Sequence, residues 1–438
     1  MPRLEERIQR LHVDVQKAGY RPMMPIERDL LSLSATIAYA DRSSVRSSTR
    51  WERTIRLHLA VDSPDFWQAP IVKNTLVDCL RTLTGDLWSL EFAARRDCGP
   101  YPPQSQQLPW SDHCAVIPYS GGLDSLATFR LHNTLTSASP LAVPLNHRVG
   151  ILSQIGDDRL VVNSLAAAKL HLGAGKHAET TFRTRSFLFL ALAAVAARLQ
   201  GVAKILVPET GQGALGAWMT AIGDEPPPCG SHPYFTHHFQ AMLDILWPED
   251  APRIEHPNLW KTKAELLAEM READACPENL DKIVTNSRSC SRSRADRIKG
   301  GNGRNCGLCP NCLLRRVSLV NGGFETVHRE EAYIWKNLQA GDLAGVLAHD
   351  LPRFDVTPRH EEIARIAVIA HRDVARLAKR PDDPCVEEQA KILVNTLHIP
   401  LTTAKQELIS LLARHQAEWF RFLDEETNEG SWVRAWCE

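Results

Sequence analysis

AVIPYSGGLDSLATF, residues 115–129 of the 438-residue chain, holds the most informative pattern in the sequence. Ala115 to Tyr119 reads as a short buried strand, and an apolar helix runs on from Leu126. Between them lies Ser120-Gly121-Gly122-Leu123-Asp124-Ser125, a Ser/Gly turn placed where a strand ends and a helix starts. Glycines without Cβ let backbone N–H groups close around phosphate oxygens, and the helix N-terminus adds unpaired donors and partial positive charge. Ser120 and Ser125 supply hydroxyl donors, while Asp124 suits holding Mg²⁺ or orienting the loop. The loop is no Walker A, because GxxxxGK[ST] is missing, and γ-phosphate hydrolysis by that machinery is disfavoured. A turn that merely caps a helix is the plain alternative, with Asp124 favouring the dipole, but the full motif after a buried strand outweighs it.

Working outward, Arg185 to Leu199 carries a strong helical pattern and Lys204 to Val207 (KILV) a short strand. Thr262 to Arg271 (TKAELLAEMR) is an amphipathic helix with Thr262 as its cap. Strands alternating with helices of this length predict an α/β fold with a doubly wound parallel sheet. Glu209 follows KILVP at the carboxyl end of its strand, the edge where such folds place ligands; a solvent-exposed loop acid is the plain alternative. Upstream, Ile55, Leu57, Leu59 and Val61 alternate as in a half-buried strand, and Trp88, Leu90 and Phe92 repeat the pattern after a helix around Val72 to Leu83. DCGPYPPQSQQLPWSD, 97–112, reads as a linker. Downstream, 358–378, 386–397 and 402–424 have helical periodicity without strand signals. The expected division is an α+β N-terminal domain with linker (1–108), the α/β domain (109–323) and an α-helical C-terminal domain (324–438).

Four of the eleven cysteines cluster. Cys306, Cys309 and Cys312 stand in C-x₂-C-x₂-C spacing, and Cys290 lies fifteen intervening residues upstream. Two tight turns can bring three thiolates around one centre, with a loop returning the fourth to complete a tetrahedral, closed Zn²⁺ site that contributes folding energy. An iron–sulfur cluster takes the same ligand set. Eight Lys/Arg residues against one acid between Ser287 and Arg316 would offset the negative charge of such a centre. The seven remaining cysteines lack ligand spacing.

Lys+Arg 51 against Asp+Glu 52 gives a net charge of −1, which argues against nucleic acid as a direct partner. No apolar run reaches the roughly 18 residues of a membrane span, and the charged N-terminal stretch has no signal-peptide core, so a cytoplasmic protein without a membrane partner is expected. Among seventeen histidines, His232, His237 and His238 read as surface or helix residues rather than ligands. Trp432 and Trp436, four apart, read as docked core.

SGGxDS resembles the PP-loop of the ATP pyrophosphatases, whose fold is adenine nucleotide alpha-hydrolase-like and which bind the β,γ-pyrophosphate and expose the α-phosphate of ATP. A PP-loop followed by CGLCPNCLLR (306–315) resembles the 7-cyano-7-deazaguanine synthases, the QueC-like proteins. TFRTRSFLFLALAAVAA resembles that family's arginine-bearing helix, placing Arg185 on its arginine, and KTKAEL places Lys263 on its lysine near the nucleotide. The resemblance spans roughly 113–323. Ser186 replaces the family's asparagine, and the usual Tyr-Pro-Asp-Cys-Arg segment has no clear counterpart; PETGQGALG (208–216) and GSHPYFTHHF (230–239) lie in its region. The added N-terminal and C-terminal segments make the chain more similar to QueC-like proteins of the Qat anti-phage type or a relative in another bacterial defence operon.

That resemblance implies an adenylating enzyme using ATP and Mg²⁺, which activates a deazapurine carboxylate for attack by an amine and releases AMP and pyrophosphate. Asp124, Lys263 and Arg185 would be catalytic, and Ser120, Gly121, Gly122, Leu123, Asp124, Ser125 and Glu209 would bind the nucleotide. Cys290, Cys306, Cys309 and Cys312 would hold zinc, and partner proteins from a defence operon are expected. Lys261 and Arg183 are the neighbouring alternatives to Lys263 and Arg185. Two other readings stay open: a tRNA-modifying PP-loop enzyme, and a non-catalytic nucleotide-sensing subunit of a defence complex.

Overall fold

The computed structural model describes residues 12, 21–47, 49–95, 113–144, 179, 181–220, 226–274, 277–290, 304–348 and 356–437. Along the chain run α1 (Pro25–Ser43), β1 (Thr54–Val61), α2 (Pro64–Gln68), α3 (Pro70–Thr84), β2 (Leu87–Ala94), β3 (Val116–Tyr119), α4 (Leu123–Leu135) and β4 (Leu141–Pro144). There follow α5 (Arg185–Gln200), β5 (Lys204–Leu206), α6 (Gly211–Met219), α7 (Pro233–Leu246), β6 (Arg253–Glu255), α8 (Lys263–Ala273), α9 (Pro277–Asn286) and α10 (Pro310–Asn321). The last elements are α11 (Glu325–Glu330), α12 (Pro358–Leu377), α13 (Pro384–Leu397), α14 (Leu401–Glu426) and α15 (Trp432–Ala435). The linker read over 97–112 and most of the basic segment after Cys290 lie outside the described residues. Among the described residues no helix is long and apolar enough to cross a membrane.

The chain forms two compact units that interleave in sequence. The first comprises Met1–Ser120, Leu135–Pro208 and Asp224–Pro257. It carries both sheets, β1-β2 and β4-β3-β5-β6, and every strand pairing in them is parallel. The fold is therefore mixed α/β with parallel sheets. β3 and β4 are buried along their whole length, as strands covered on both faces must be. β1 and β2 instead alternate, with Ile55, Leu59 and Val61 turned inward and Arg56 and His58 more exposed. Strand order reverses at β3, which has β4 on one side and β5 on the other. Helix α5 explains how so apolar a sequence stays folded: Phe187 through Ala197 are all buried, leaving no face to solvent.

A buried charge network ties this unit together. Arg53 Nη2 lies 2.6 Å from both Asp41 and Asp86, and Arg46 Nη1 reaches Asp86 at 2.8 Å. Asp41 also accepts from the amide (2.9 Å) and hydroxyl (2.8 Å) of Thr184, the residue just before α5. One carboxylate thus joins the end of α1 to the start of α5.

The second unit comprises Gly121–Thr134, Glu209–Gly223 and Asn258–Glu438, and its named elements are all helical. Leu123, Leu126 and Leu131 of α4 pack with Leu266, Leu267 and Met270 of α8 and with Leu319 of α10. A second cluster joins the cysteine segment and Val317 to Ala364, Val368, Trp419 and Trp432. A third sets Leu215 of α6 against Val386, Leu393 and Leu408 of the tail. The three tail helices fall within a few residues of the periodic segments, and Trp432 is core, as read, with Trp436 packed edge-on against it at 5.4 Å.

Asp86→Ala should cost about 3 kcal/mol, because it takes the nearer carboxylate from Arg46 and one of the two close carboxylates from the buried Arg53, which keeps Asp41. Burial alone would raise the Asp86 carboxyl, but hydrogen bonds from Arg53 and Arg46 outweigh it and hold it below the usual carboxylate range. Its contribution is therefore complete above the unfolded-state pKa and lost as pH falls through the lower folded-state value. Urea unfolding followed at neutral pH and in strong acid checks both the loss and the convergence of variant and parent at low pH.

Candidate functional site

The turn after β3 reverses at Gly121, whose φ of 75° is a left-handed conformation that side-chain-bearing residues adopt rarely. Its carbonyl accepts from the backbone N–H of Arg288 at 2.8 Å. Helix α4 begins two residues later, so the turn delivers the chain to a helix N-terminus whose first amides have no partner within the helix. Leu123 is fully buried and anchors the turn in the α4–α8 cluster. Ser125 is buried as well, and its hydroxyl donates to the Gly122 carbonyl at 3.0 Å, closing the turn from inside.

Asp124 is the motif residue with the richest surroundings. Its Oδ2 lies 2.8 Å from Lys263 Nζ, and its Oδ1 accepts from Thr210 Oγ1 at 3.2 Å. Glu209 completes the group, 3.8 Å from Lys263. Burial alone would pull the Lys263 ammonium down, but Asp124 and then Glu209 outweigh it and hold it above its ordinary value. Burial first, and then the Asp124 carboxylate, push the Glu209 carboxyl up to about 7. One cation thus faces two carboxyl groups. Asn258 supports the group from below: its side-chain amide donates to Thr128 Oγ1 (2.7 Å), which donates to the Asp124 carbonyl (2.7 Å).

Lys263 opens α8, and the sequence signal for that start is a capping box. The Glu265 amide donates to Thr262 Oγ1 at 3.1 Å, and Glu265 accepts from the Thr262 amide at 2.8 Å. Lys261 instead pairs with Glu269, both partly exposed, so of the two lysines only Lys263 reaches Asp124. Arg185 belongs to the first unit, where it opens α5 with its guanidinium 5.1 Å from the Phe189 ring centroid. Arg183 donates to the Pro226 carbonyl and lies over Trp51. His232 caps α7 by accepting from the Tyr234 amide at 3.0 Å, and His238 packs on Tyr234. Thr210, Gln212, Asn258 and Glu418 surround the Asp124–Lys263 group or its helix. Thr210 and Gln212 lie in the PETGQGALG segment beside Glu209, a signal that places the segment without assigning either residue a role, and Asn258 and Glu418 carry no local signal.

The four cysteine sulfurs all lie within 4.8 Å of one another, with Cys306, Cys309 and Cys312 buried and Cys290 half-buried. Gly307 makes the knuckle possible: its φ is 86°, and a Cβ there would lie 2.4 Å from the Trp335 carbonyl oxygen. The amides of Leu308 and Cys309 point at Cys306 Sγ, at 3.4 and 3.3 Å. Hydrogen bonds from the other three cysteines hold the Cys290 thiol far below its ordinary range. Four sulfurs without a carboxylate or imidazole form a closed set that could hold a metal ion such as zinc. The fully buried Arg315 and nearly buried Arg316 place positive charge near Cys312. Arg315 also donates to Glu331 (2.7 Å), Ser287 Oγ (2.7 Å) and the Val284 carbonyl (2.8 Å). Asn305 Oδ1 accepts from the amides of Ser289 and Cys290, both at 3.3 Å. Residues 287–290 therefore form one braced arm, which carries Cys290 at its end and holds Gly121 through Arg288.

Purified protein should hold about one metal ion per chain. Cys309→Ser should lose it and lower the melting temperature, as should prolonged treatment with a strong chelator. Elemental analysis alongside thermal unfolding checks this; a metal-free chain with an unchanged melting temperature would remove the site.

The chain matches no protein-family model, no curated protein and no solved structure.

Proposed function

We propose that this protein is an ATP-dependent adenylating enzyme of the PP-loop type, activating a deazapurine carboxylate for attack by an amine. The observation that carries the reading is the meeting of Asp124, Lys263 and Glu209 at the N-terminus of the helix that follows the glycine turn. The strand order, which reverses at β3 just before SGGLDS, supports the same reading, because open parallel sheets bind ligands at such reversals.

In the proposed reaction a substrate carboxylate oxygen attacks the α-phosphorus of ATP. The bond to the bridging oxygen breaks, and pyrophosphate leaves with the bonding electrons toward the turn Ser120–Ser125. An amine then adds to the acyl carbon of the acyl adenylate, AMP departs with the carboxylate-derived oxygen, and the amine loses a proton. Lys263 neutralises charge on the departing pyrophosphate, with Arg185 proposed to assist. Asp124 and Glu209, two carboxyl groups against one ammonium, are the residues that would hold Mg²⁺, which when bound supplies further neutralisation of phosphate charge. The cysteine centre is structural in this scheme. The acceptor amine belongs to a partner protein of a bacterial defence operon, which gives the N-terminal and tail segments a docking role.

Incubation with ATP and 7-carboxy-7-deazaguanine should release pyrophosphate, and AMP as well once the co-expressed amine acceptor is present; Asp124→Ala should lower the rate by about two orders of magnitude or more while the chain stays folded. Nucleotide chromatography and a pyrophosphate assay check the products. ADP as the main product would overturn the assignment, and mass analysis of co-expressed proteins identifies the acceptor.

A further inference from the structure

We infer that Gln212 and Glu418 are positioning residues for Lys263, so that the tail helix α14 is a working part of the site around Asp124. The consequence for nucleotide binding rests on the reading proposed above.

The backbone N–H of Lys263 can only donate, and it meets Gln212 Oε1 at 2.8 Å. That contact fixes which end of the Gln212 amide is oxygen, so its nitrogen faces the other way. There it donates to Glu418 Oε2 at 3.0 Å and to His415 Nδ1 at 2.9 Å. Both amide protons and the acceptor are thereby used in a side chain that is nine-tenths buried. Glu418 Oε1 accepts from the Thr262 hydroxyl, whose own oxygen accepts from the Glu265 amide. The first turn of α8 is thus gripped at two consecutive residues, Thr262 and Lys263, by side chains from α6 and α14.

The grip is itself backed. His415 accepts at Nδ1, so its proton sits on Nε2 and donates to the His371 carbonyl at 3.1 Å. His371 Nε2 in turn donates to the Pro310 carbonyl at 3.1 Å, at the start of the helix that carries Cys312. Each member has one available role, and burial keeps both imidazoles in the neutral form that those roles require. A network in which every donor and acceptor is assigned permits one arrangement, whereas a partly satisfied one permits several. Helix register at Lys263 therefore follows from contacts that cross 51 to 156 positions of chain. An error of about 1 Å at a charge-bearing side chain is enough to cost a site much of its function.

The test compares the parent chain with Gln212→Glu, Glu418→Gln and the exchanged pair Gln212→Glu/Glu418→Gln. In Gln212→Glu a carboxylate faces the Glu418 carboxylate, and in Glu418→Gln two amide or hydroxyl donors compete for one acceptor. In the exchanged pair the carboxylate at 212 still accepts from Lys263 and now from the amide at 418, at the cost of a tautomer change in His415 and of its hydrogen bond to the His371 carbonyl. The first readout is acetylation of Lys263 by acetic anhydride, followed by peptide mass spectrometry without nucleotide and normalised to the exposed Lys391. The second is calorimetric binding of Mg²⁺–pyrophosphate, and the third is the melting temperature. Each single variant should acetylate Lys263 at least about tenfold faster and bind pyrophosphate about tenfold more weakly, and the exchanged pair should return within about threefold of the parent. Lower melting temperatures with unchanged Lys263 acetylation in folded single variants would reduce Gln212 and Glu418 to packing residues and overturn the inference. If one single variant does not fold, the other and the exchanged pair decide. A parent chain that fails to bind pyrophosphate would refute the nucleotide-site reading, while the acetylation result still decides the positioning claim.

Discussion

Lys263 is 5% exposed, and an ammonium group taken that far out of water persists only where its charge is matched and its protons are received. Asp124 does this at 2.8 Å with Glu209 behind it, and the organisation of the second unit follows from keeping those groups in place. Electrostatics does not hold the two helices together here. Leu123 and Leu126 beside Asp124, and Leu266 and Leu267 beside Lys263, belong to one hydrophobic cluster. Apolar packing sets the distance between α4 and α8, and the ion pair then has one geometry to adopt. With this division of labour the packing of the two helices does not depend on the ion pair.

The cysteine cluster and the glycine turn share a brace. The arm 287–290 is held by Arg315 and Asn305, carries Cys290, and presents the Arg288 amide to the Gly121 carbonyl. A metal held by these four thiolates would contribute binding energy to folding, and it would do so on the arm that also holds the turn at Gly121. Arg315 is fully buried and pairs with Glu331, an arrangement that costs desolvation and gives orientation in return. The tail contributes in a comparable way: α14 packs against α6 and α13 through Leu408, Leu411 and Leu412 while sending Glu418 to the start of α8.

Much of this was legible from residues close together in the chain. SGGLDS between an apolar run and a helix, the helix cap at Thr262, the C-x₂-C-x₂-C spacing and the periodicity of the three tail helices are all local patterns, and each is realised in the described residues. Other features had no such pattern. β4 and β6 are four and three residues long, and although β3 and β5 are as short, those two were marked by the glycine turn and the strongly apolar helix beside them. The parallel pairing of β1 with β2 depends on the crossover formed by α2 and α3 rather than on either strand's own sequence.

By itself, then, the sequence determined where backbone geometry changes: the turn at Gly121, the cap at Thr262, the cysteine knuckles and the apolar faces of the helices. These depend on what a residue does to its own backbone and near neighbours. Only tertiary structure decided which side chains meet. It set Lys263, which the resemblance already favoured over Lys261, against Asp124, placed Arg185 in the first unit, and brought Gln212 and Glu418 to the start of α8. Those meetings cross 51 to 156 positions of chain. They are set by how apolar helix faces pack, and a polar residue's type does not encode its partner.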